Sequence, residues 1–255
     1  MTAIWSLARH TILDAMREKA FLALVGFAIL LLGASRLLAP LALGEGYRLT
    51  VDLGLGGIAL IGFLLLVVLG TRMVHREIDR KTILILLAKP LRREAFVVGK
   101  FLGLAGVTGL SVAVMVLLLA AVMAVSGYPL TFALLAAGYY AWLELVVMAA
   151  LTMLLTCFTS PVLATFFLLG LFVTGHLAGS LLEFAEMLPG ALAAGVLEGV
   201  FLVVPRLDLF SYTLEVIHRQ AVTPERLMWA TLYALVYSAA VLVVASFVFR
   251  RREFS

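Results

Sequence analysis

Long uninterrupted apolar runs constrain this chain more than any other feature of its sequence. Six stretches, at about 20–43, 51–70, 101–126, 132–158, 162–182 and 227–249, are long enough to cross a bilayer, which takes roughly 17 to 25 apolar residues in a helix. Each must be helical, because an unpaired backbone amide in hydrocarbon costs several kcal/mol and a lone helix pairs its own. Only 13% of the 255 residues are charged and 64% are hydrophobic, against about 25% charged in soluble proteins. No water-soluble core hides that much apolar surface. The expected fold is all-α: one polytopic membrane domain over residues 1–255, with six transmembrane helices.

The formal charge of +4 does not point to nucleic acid, because the basic residues cluster at the ends of the apolar runs, where they set topology. Arg9, Arg17 and Lys19 precede the first run, Arg72 to Lys100 carry eight more between the second and third, and Arg250, Arg251 and Arg252 follow the last. Most of the basic residues thus fall on one side, which places both termini in the cytoplasm. The segment Met187 to Val204 is also apolar but is interrupted by Pro189 and Glu198. Counting it as a seventh span would move the Arg250-Arg251-Arg252 tail to the wrong side. It reads instead as broken re-entrant helices in an outer segment of about 183–226, tolerable at membrane depth only where protein or a cavity covers the backbone. The N-terminal run is too long for a removable signal peptide and lacks a small-residue cleavage site, so it is expected to be retained. Cys157 is the one cysteine, which rules out an intramolecular disulfide and a cysteine-based zinc site.

Three extramembrane pieces remain. Residues 2 to about 19 place Ile4, Leu7, Ala8, Thr11, Ile12, Ala15 and Met16 on one helical face, and Arg9, His10, Asp14, Arg17 and Glu18 on the other. That pattern predicts an interfacial amphipathic helix, serving as an anchor or also touching a cytoplasmic partner. The second piece, 71–100, is the most informative. Glu77 and Lys81 are spaced for an i,i+4 pair and Pro90 pushes Lys89 out of helical geometry, so a short helix of about 77–88 is expected. Its second half, Ile83 to Leu87, is apolar on all sides and must be covered, by the bundle's own ends or by a groove in a partner. The third is the outer segment.

The order Glu77, Thr82, Leu86-Leu87, Pro90, Arg92 or Arg93, then Gly99-Lys100 resembles the loop between the second and third spans of type-2 ABC transporter permeases. Lys81 stands where that family commonly has Gly. The amphipathic start, the six spans, the short helices before the last span and the closing Phe247-Val248-Phe249-Arg250-Arg251-Arg252 are similar to the same family, including the subgroup around the nitrous-oxide-reductase maturation permease. The resemblance implies that the loop holds a coupling helix, with Arg76, Glu77, Arg80, Thr82, Leu86, Leu87, Pro90 and Arg92 as its contact residues. It further implies a separate P-loop ATPase subunit carrying ATP and magnesium, pairing with a second permease as a homodimer or heterodimer, export, and a prokaryotic inner membrane. The chain's own Gly-Lys pair, Gly99-Lys100, has Glu94 where a phosphate-cradling P-loop needs Gly and Phe101 where it needs Ser or Thr. This chain is therefore not the ATPase, and it is expected to hold no cofactor or metal of its own and no catalytic residue.

Within the spans, Glu144 stands near the middle of the fourth, where an ionised carboxylate costs about 2.5–3.5 kcal/mol on insertion scales. It is expected to line the translocation path or an interface, or to bond to Tyr139, Tyr140 or a hydroxyl on another helix. Arg36 can snorkel to the outer surface. His176 and Ser180 are a turn apart, but nothing resembling a nucleophile elbow or an oxyanion site accompanies them. His176 with Glu183 and Glu186 could meet a cation, though these are too few groups to define a metal site. Gly99, Gly103, Gly106 and Gly109, and Gly175 with Gly179, form small-residue stripes suited to close helix approach, within one subunit or between two.

Two other classes fit part of the pattern. An ATP-independent secondary transporter or membrane-embedded enzyme would be expected to show several intramembrane carboxylates or repeated halves, and a non-transporting scaffold would use the loop equally well. The low charge of the spans favours lipid-like, amphiphilic or peptide cargo.

Overall fold

The computed structural model describes residues 2–18, 44–79, 93–187 and 204–251 with isolated positions between 21 and 34, and of 73–79, 93–94, 180–187 and 250–251 the backbone alone. Among these residues every regular element is helical: α1 (Thr2–Arg17), α2 (Gly46–Asp79), α3 (Arg93–Val125), α4 (Phe132–Phe158), α5 (Pro161–Met187), a 3-10 turn (Leu207–Phe210), α6 (Thr213–Ile217) and α7 (Pro224–Arg251). Five of them, α2, α3, α4, α5 and α7, are long and apolar enough to cross a membrane. The expected first span, about 20–43, and the expected outer dip over 188–203 lie outside the described residues.

The bundle is built around α4. Its sequence is apolar on every side, as a helix surrounded by protein should be, and it packs against α2, α3, α5 and α7. Lipid gives helices no hydrophobic reason to associate, so close approach at small residues does the work. Gly62 of α2 receives Leu145, and Gly109 of α3 receives Trp142, whose Nε1 donates to the Ala105 carbonyl at 2.9 Å. Thr152 abuts Gly70 and turns its hydroxyl back to the Met148 carbonyl at 2.8 Å. Thr108, Ser111 and Thr156 bond their own helices in the same way, which leaves no bare hydroxyl at these points in hydrocarbon.

At the end of α3 the chain reverses through Gly127 at φ +72°. The Tyr128 amide bonds Met123 and the Gly127 amide bonds Ala124, the paired closure that satisfies a helix's last carbonyls and requires a left-handed residue.

Two helices exceed the spans expected of them. α2 has 34 residues and α3 has 33, about 50 Å each at 1.5 Å per residue, against a hydrocarbon core of about 30 Å. Glu77 was expected to open a separate short helix, but it lies in the last turns of α2, which runs on through Asp79. Hydrophobicity marks where a helix enters lipid; it does not mark where backbone hydrogen bonding stops.

The buried face of α1 matches the expected apolar one: Ala8, Thr11 and Ala15 are covered, while Arg9, His10, Asp14 and Arg17 are exposed. What covers it is protein. Leu7, Thr11 and Ile12 lie against Gly99, Gly103 and Gly106 in turn, so α1 runs along the start of α3 in the same direction. A Cβ at Gly103 would stand 2.4 Å from the Thr11 side chain. This stripe therefore packs within one chain, and it fixes α1 at the end of the bundle where α3 begins. Trp5 and Leu13 stay exposed, and so does Met16, which was expected on the covered face but lies at its edge in the last turn of α1.

Candidate functional site

Of the eight expected coupling residues, Arg76 and Glu77 sit on the final turns of α2, where the backbone alone is described, and Arg80, Thr82, Leu86, Leu87, Pro90 and Arg92 lie outside the described residues. The ends that carry this loop, α2 at Asp79 and α3 at Arg93, are both helical. Glu183 and Ser180 are on α5, again as backbone alone.

The structure brings together two residues that the sequence separates by 32 positions. Glu144 stands 12 residues, about 18 Å, below the start of α4, near the middle of that span. His176 faces it from α5, with Nε2 3.6 Å from Glu144 Oε1. The carboxylate is 3% exposed, whereas the imidazole side chain is 35% exposed, so the histidine stands between the carboxylate and the outer surface of the subunit. Despite that proximity Oε1 has no hydrogen-bond partner, and 3.6 Å is a charge contact rather than a hydrogen bond. His176 Nδ1 is 3.0 Å from the Phe172 carbonyl. Phe172 also packs against the His176 ring at 4.6 Å and stacks on Phe63 of α2 at 4.1 Å, which holds the imidazole in place. Among the described residues the group facing Glu144 is thus neither a neighbouring tyrosine nor a hydroxyl but the imidazole; the side chain of Ser180 lies outside them.

One turn toward the start of α4, Tyr140 is fully buried and its hydroxyl is also unpartnered. Its ring stacks on Tyr212 at 4.8 Å. Above both lies Arg226 at the start of α7, 5.1 Å from the Tyr212 ring and 5.9 Å from that of Tyr140, a cation over aromatic faces. The guanidinium is fixed by an ion pair with Glu215 and by donation to the Ser211 carbonyl at 3.1 Å. Burial raises the Tyr212 hydroxyl pKa above its ordinary value, aided by Glu215 and opposed by Arg226.

The rest of the outer segment is tied to the spans around this cluster. Leu207 and the Pro205 carbonyl press against Gly175, and Asp208 lies over Gly179, so this second small-residue stripe is filled by the same chain. Asp208 accepts from Arg206 at 3.1 Å, a bond that keeps the guanidinium charged by raising its pKa. The Arg206 amide donates to the Tyr233 hydroxyl at 2.9 Å, and the Tyr47 hydroxyl donates to the Val216 carbonyl at 2.9 Å. Arg219, left-handed at φ +53°, is held with its guanidinium 5.1 Å from the Tyr47 ring.

Sequence reasoning selected Glu144 by its cost in lipid and His176 by its spacing from Ser180 and its nearness to Glu183 and Glu186, named Tyr140 only as a candidate partner of Glu144, and missed Tyr212, Glu215 and Arg226. Tyrosine and arginine near a span's outer end are the usual membrane-boundary residues, so composition did not separate these four from an ordinary aromatic belt. Among the described residues no group of three or more His, Cys, Asp or Glu is placed to hold a metal ion.

The family described as ABC-2 family transporter protein matches residues 5–254 of the chain. No curated protein matches it.

Proposed function

Since the chain belongs to the ABC-2 transporter family, the membrane permeases of ABC transporters, we propose that it is the subunit through which cargo is exported while a separate P-loop ATPase hydrolyses ATP with magnesium. The observation that carries this reading is the family match over residues 5–254; the sequence supports it by lacking a P-loop of its own. The six-span topology follows if residues 20–43 supply the remaining crossing, with both termini and the 71–100 loop in the cytoplasm of a bacterial-type inner membrane. The closing Phe247 to Arg252 run supports a place beside the nitrous-oxide-reductase maturation permeases within the family.

In this reading the loop is the coupling element. Ile83 to Leu87 supply an apolar contact for the ATPase, and Arg76, Glu77, Arg80 and Arg92 set its register by charge. The placement of α1 at the end of the bundle where α3 begins supports its moving with that loop. Two permease chains, identical or not, pair about an axis normal to the membrane, with Glu144, His176 and Glu183 as candidates for the path or the interface between them. The outer segment of 183–226, pressed onto Gly175 and Gly179, then serves as a lid that enters the membrane from outside. Cargo acts on this cycle only through different affinity for the inward and outward arrangements.

The test is copurification of the tagged chain in mild detergent, with mass spectrometry and an ATPase assay of the recovered material. A stoichiometric soluble subunit bearing a P-loop is expected, and Leu86→Glu should leave ATP hydrolysis running while export falls at least tenfold. A partnerless chain would overturn the proposal in favour of an ATP-independent carrier or a scaffold.

A further inference from the structure

The arrangement of Glu144 and His176 fixes how many protons the two can hold. A carbonyl oxygen only accepts, so the 3.0 Å contact with Phe172 places a hydrogen on His176 Nδ1. In the neutral ring Nε2 then carries a lone pair, and that lone pair faces Glu144 Oε1 at 3.6 Å. Two acceptors cannot face each other in hydrocarbon without a hydrogen between them. Either Glu144 is a carboxylic acid turned toward a neutral imidazole, or it is a carboxylate beside an imidazolium. Both forms are neutral overall and both contain one proton between Oε1 and Nε2. We propose that Glu144 and His176 form an intramembrane site for a single exchangeable proton, reached from the outer face of the subunit.

The surroundings support a site that trades its proton rather than a locked pair. Oε1 lacks a hydrogen bond although Glu144 is almost wholly buried, whereas a structural pair would be expected to close to bonding distance. His176 is about one third exposed, on a span of which only 22% is buried within the chain, the same share as for α7. On α4 the next group outward is the Tyr140 hydroxyl, also buried and unpartnered. From residues 205–219 come Tyr212, stacked on Tyr140, Glu215, and Asp208, which lies over Gly179 of α5 and is paired with Arg206; from α7 comes Arg226, over both rings, with Tyr233 and Tyr237 further along that helix. α2 and α3 bring Gly62 against Leu145 and Gly109 against Trp142 of α4, and Phe63 of α2 stacks on Phe172 of α5; none of these titrates. Tyr140 and Tyr212 thus lead from the pair toward the solvent-exposed Arg226.

The balance is simple. Within the closed site the proton moves from Oε1 to Nε2 or back, and no net charge appears. Release breaks the Nε2–H or Oε1–H bond, delivers the proton to water, and leaves one negative charge at mid-membrane, which hydrocarbon opposes strongly. Release therefore requires that water reach the pair past the exposed side of His176, a passage that opening of a transport path would widen. The link to transport rests on the permease reading above; the proton site itself does not.

Infrared difference titration of the full chain in lipid nanodiscs tests the site without ATP or a partner, so its outcome is independent of the copurification result. A protonated-carboxyl band from Glu144 should rise and fall with pH, accounting for one proton per chain, and should vanish in Glu144→Gln. His176→Gln, on the less buried helix, should keep the band and displace its midpoint by about one pH unit or more. A carboxyl band that stays constant across pH, or a midpoint unmoved in His176→Gln, would overturn the proposal.

Discussion

α4 and α5 are both 27 residues long, and their most apolar stretches have nearly the same mean hydropathy, 2.0 and 1.9. Yet 83% of that stretch is buried inside the chain in α4 and only 22% in α5. Hydropathy thus decides that a helix enters the membrane and says nothing about which helix becomes the centre. The difference lies in the side chains that lipid cannot satisfy. α4 carries Glu144, Trp142, Thr152 and Thr156, each with a protein neighbour, and small residues such as Gly138 and Ala149 that let other helices approach. α5 turns Val162, Leu163, Phe166, Phe167 and Val173 outward, where lipid serves them as well as protein does.

This contrast can be broken first at Glu144. Glu144→Lys replaces the buried carboxylate by a long ammonium side chain with no acidic partner beside it among the described residues, at a mid-membrane burial cost of about 3 kcal/mol. The expected outcome is loss of the folded chain from detergent extracts, read by size-exclusion chromatography of a fluorescent fusion. Gly103→Leu should come next. Its side chain has no room beside Thr11, and overpacking of this kind costs about 1–3 kcal/mol; in a Cys157→Ser background a cysteine introduced at the buried Ala8 should then label faster as α1 leaves α3. Thr152→Val removes a hydroxyl bonded within its own helix and should cost no more than about 0.6 kcal/mol in unfolding from bicelles. Phe166→Ala should change stability by less than about 0.5 kcal/mol. A clearly larger loss at Phe166 would sharpen the comparison in another way, by showing that a second copy rather than lipid covers α5.

Much of this was legible in the sequence, for reasons that differ by residue. The limits of α4, 132–158, were read directly because Thr131 and the Ser160-Pro161 step bound an unbroken apolar run. The limits of α2 and α3 were not, because their charged ends, Arg72 to Asp79 and Arg93 to Lys100, continue a helix that lipid no longer requires. Glu144 stood out by its charge. Its pairing with His176 is a contact between two helices, and no spacing along one chain encodes it. The glycines of α3 announced close approach, but the partner they admit, α1, shows only once both helices are placed. The outer cluster was hidden because each tyrosine, taken singly, fits an ordinary boundary position.

The length of α2 has a mechanical consequence. A helix of about 50 Å, gripped within the membrane by α4 through Gly62 and Gly70, behaves as a stiff rod with its pivot well away from its free end. Tilting it by about 5° carries a tip some 25 Å from the pivot through about 2 Å, while the side chains at the pivot barely shift. α3 returns along a second rod of the same length from the other end of the 80–92 loop. A load applied where α2 ends and α3 begins would therefore reach the interior as rotation of two stiff bars, and the angle between the bars is the quantity such a load could set.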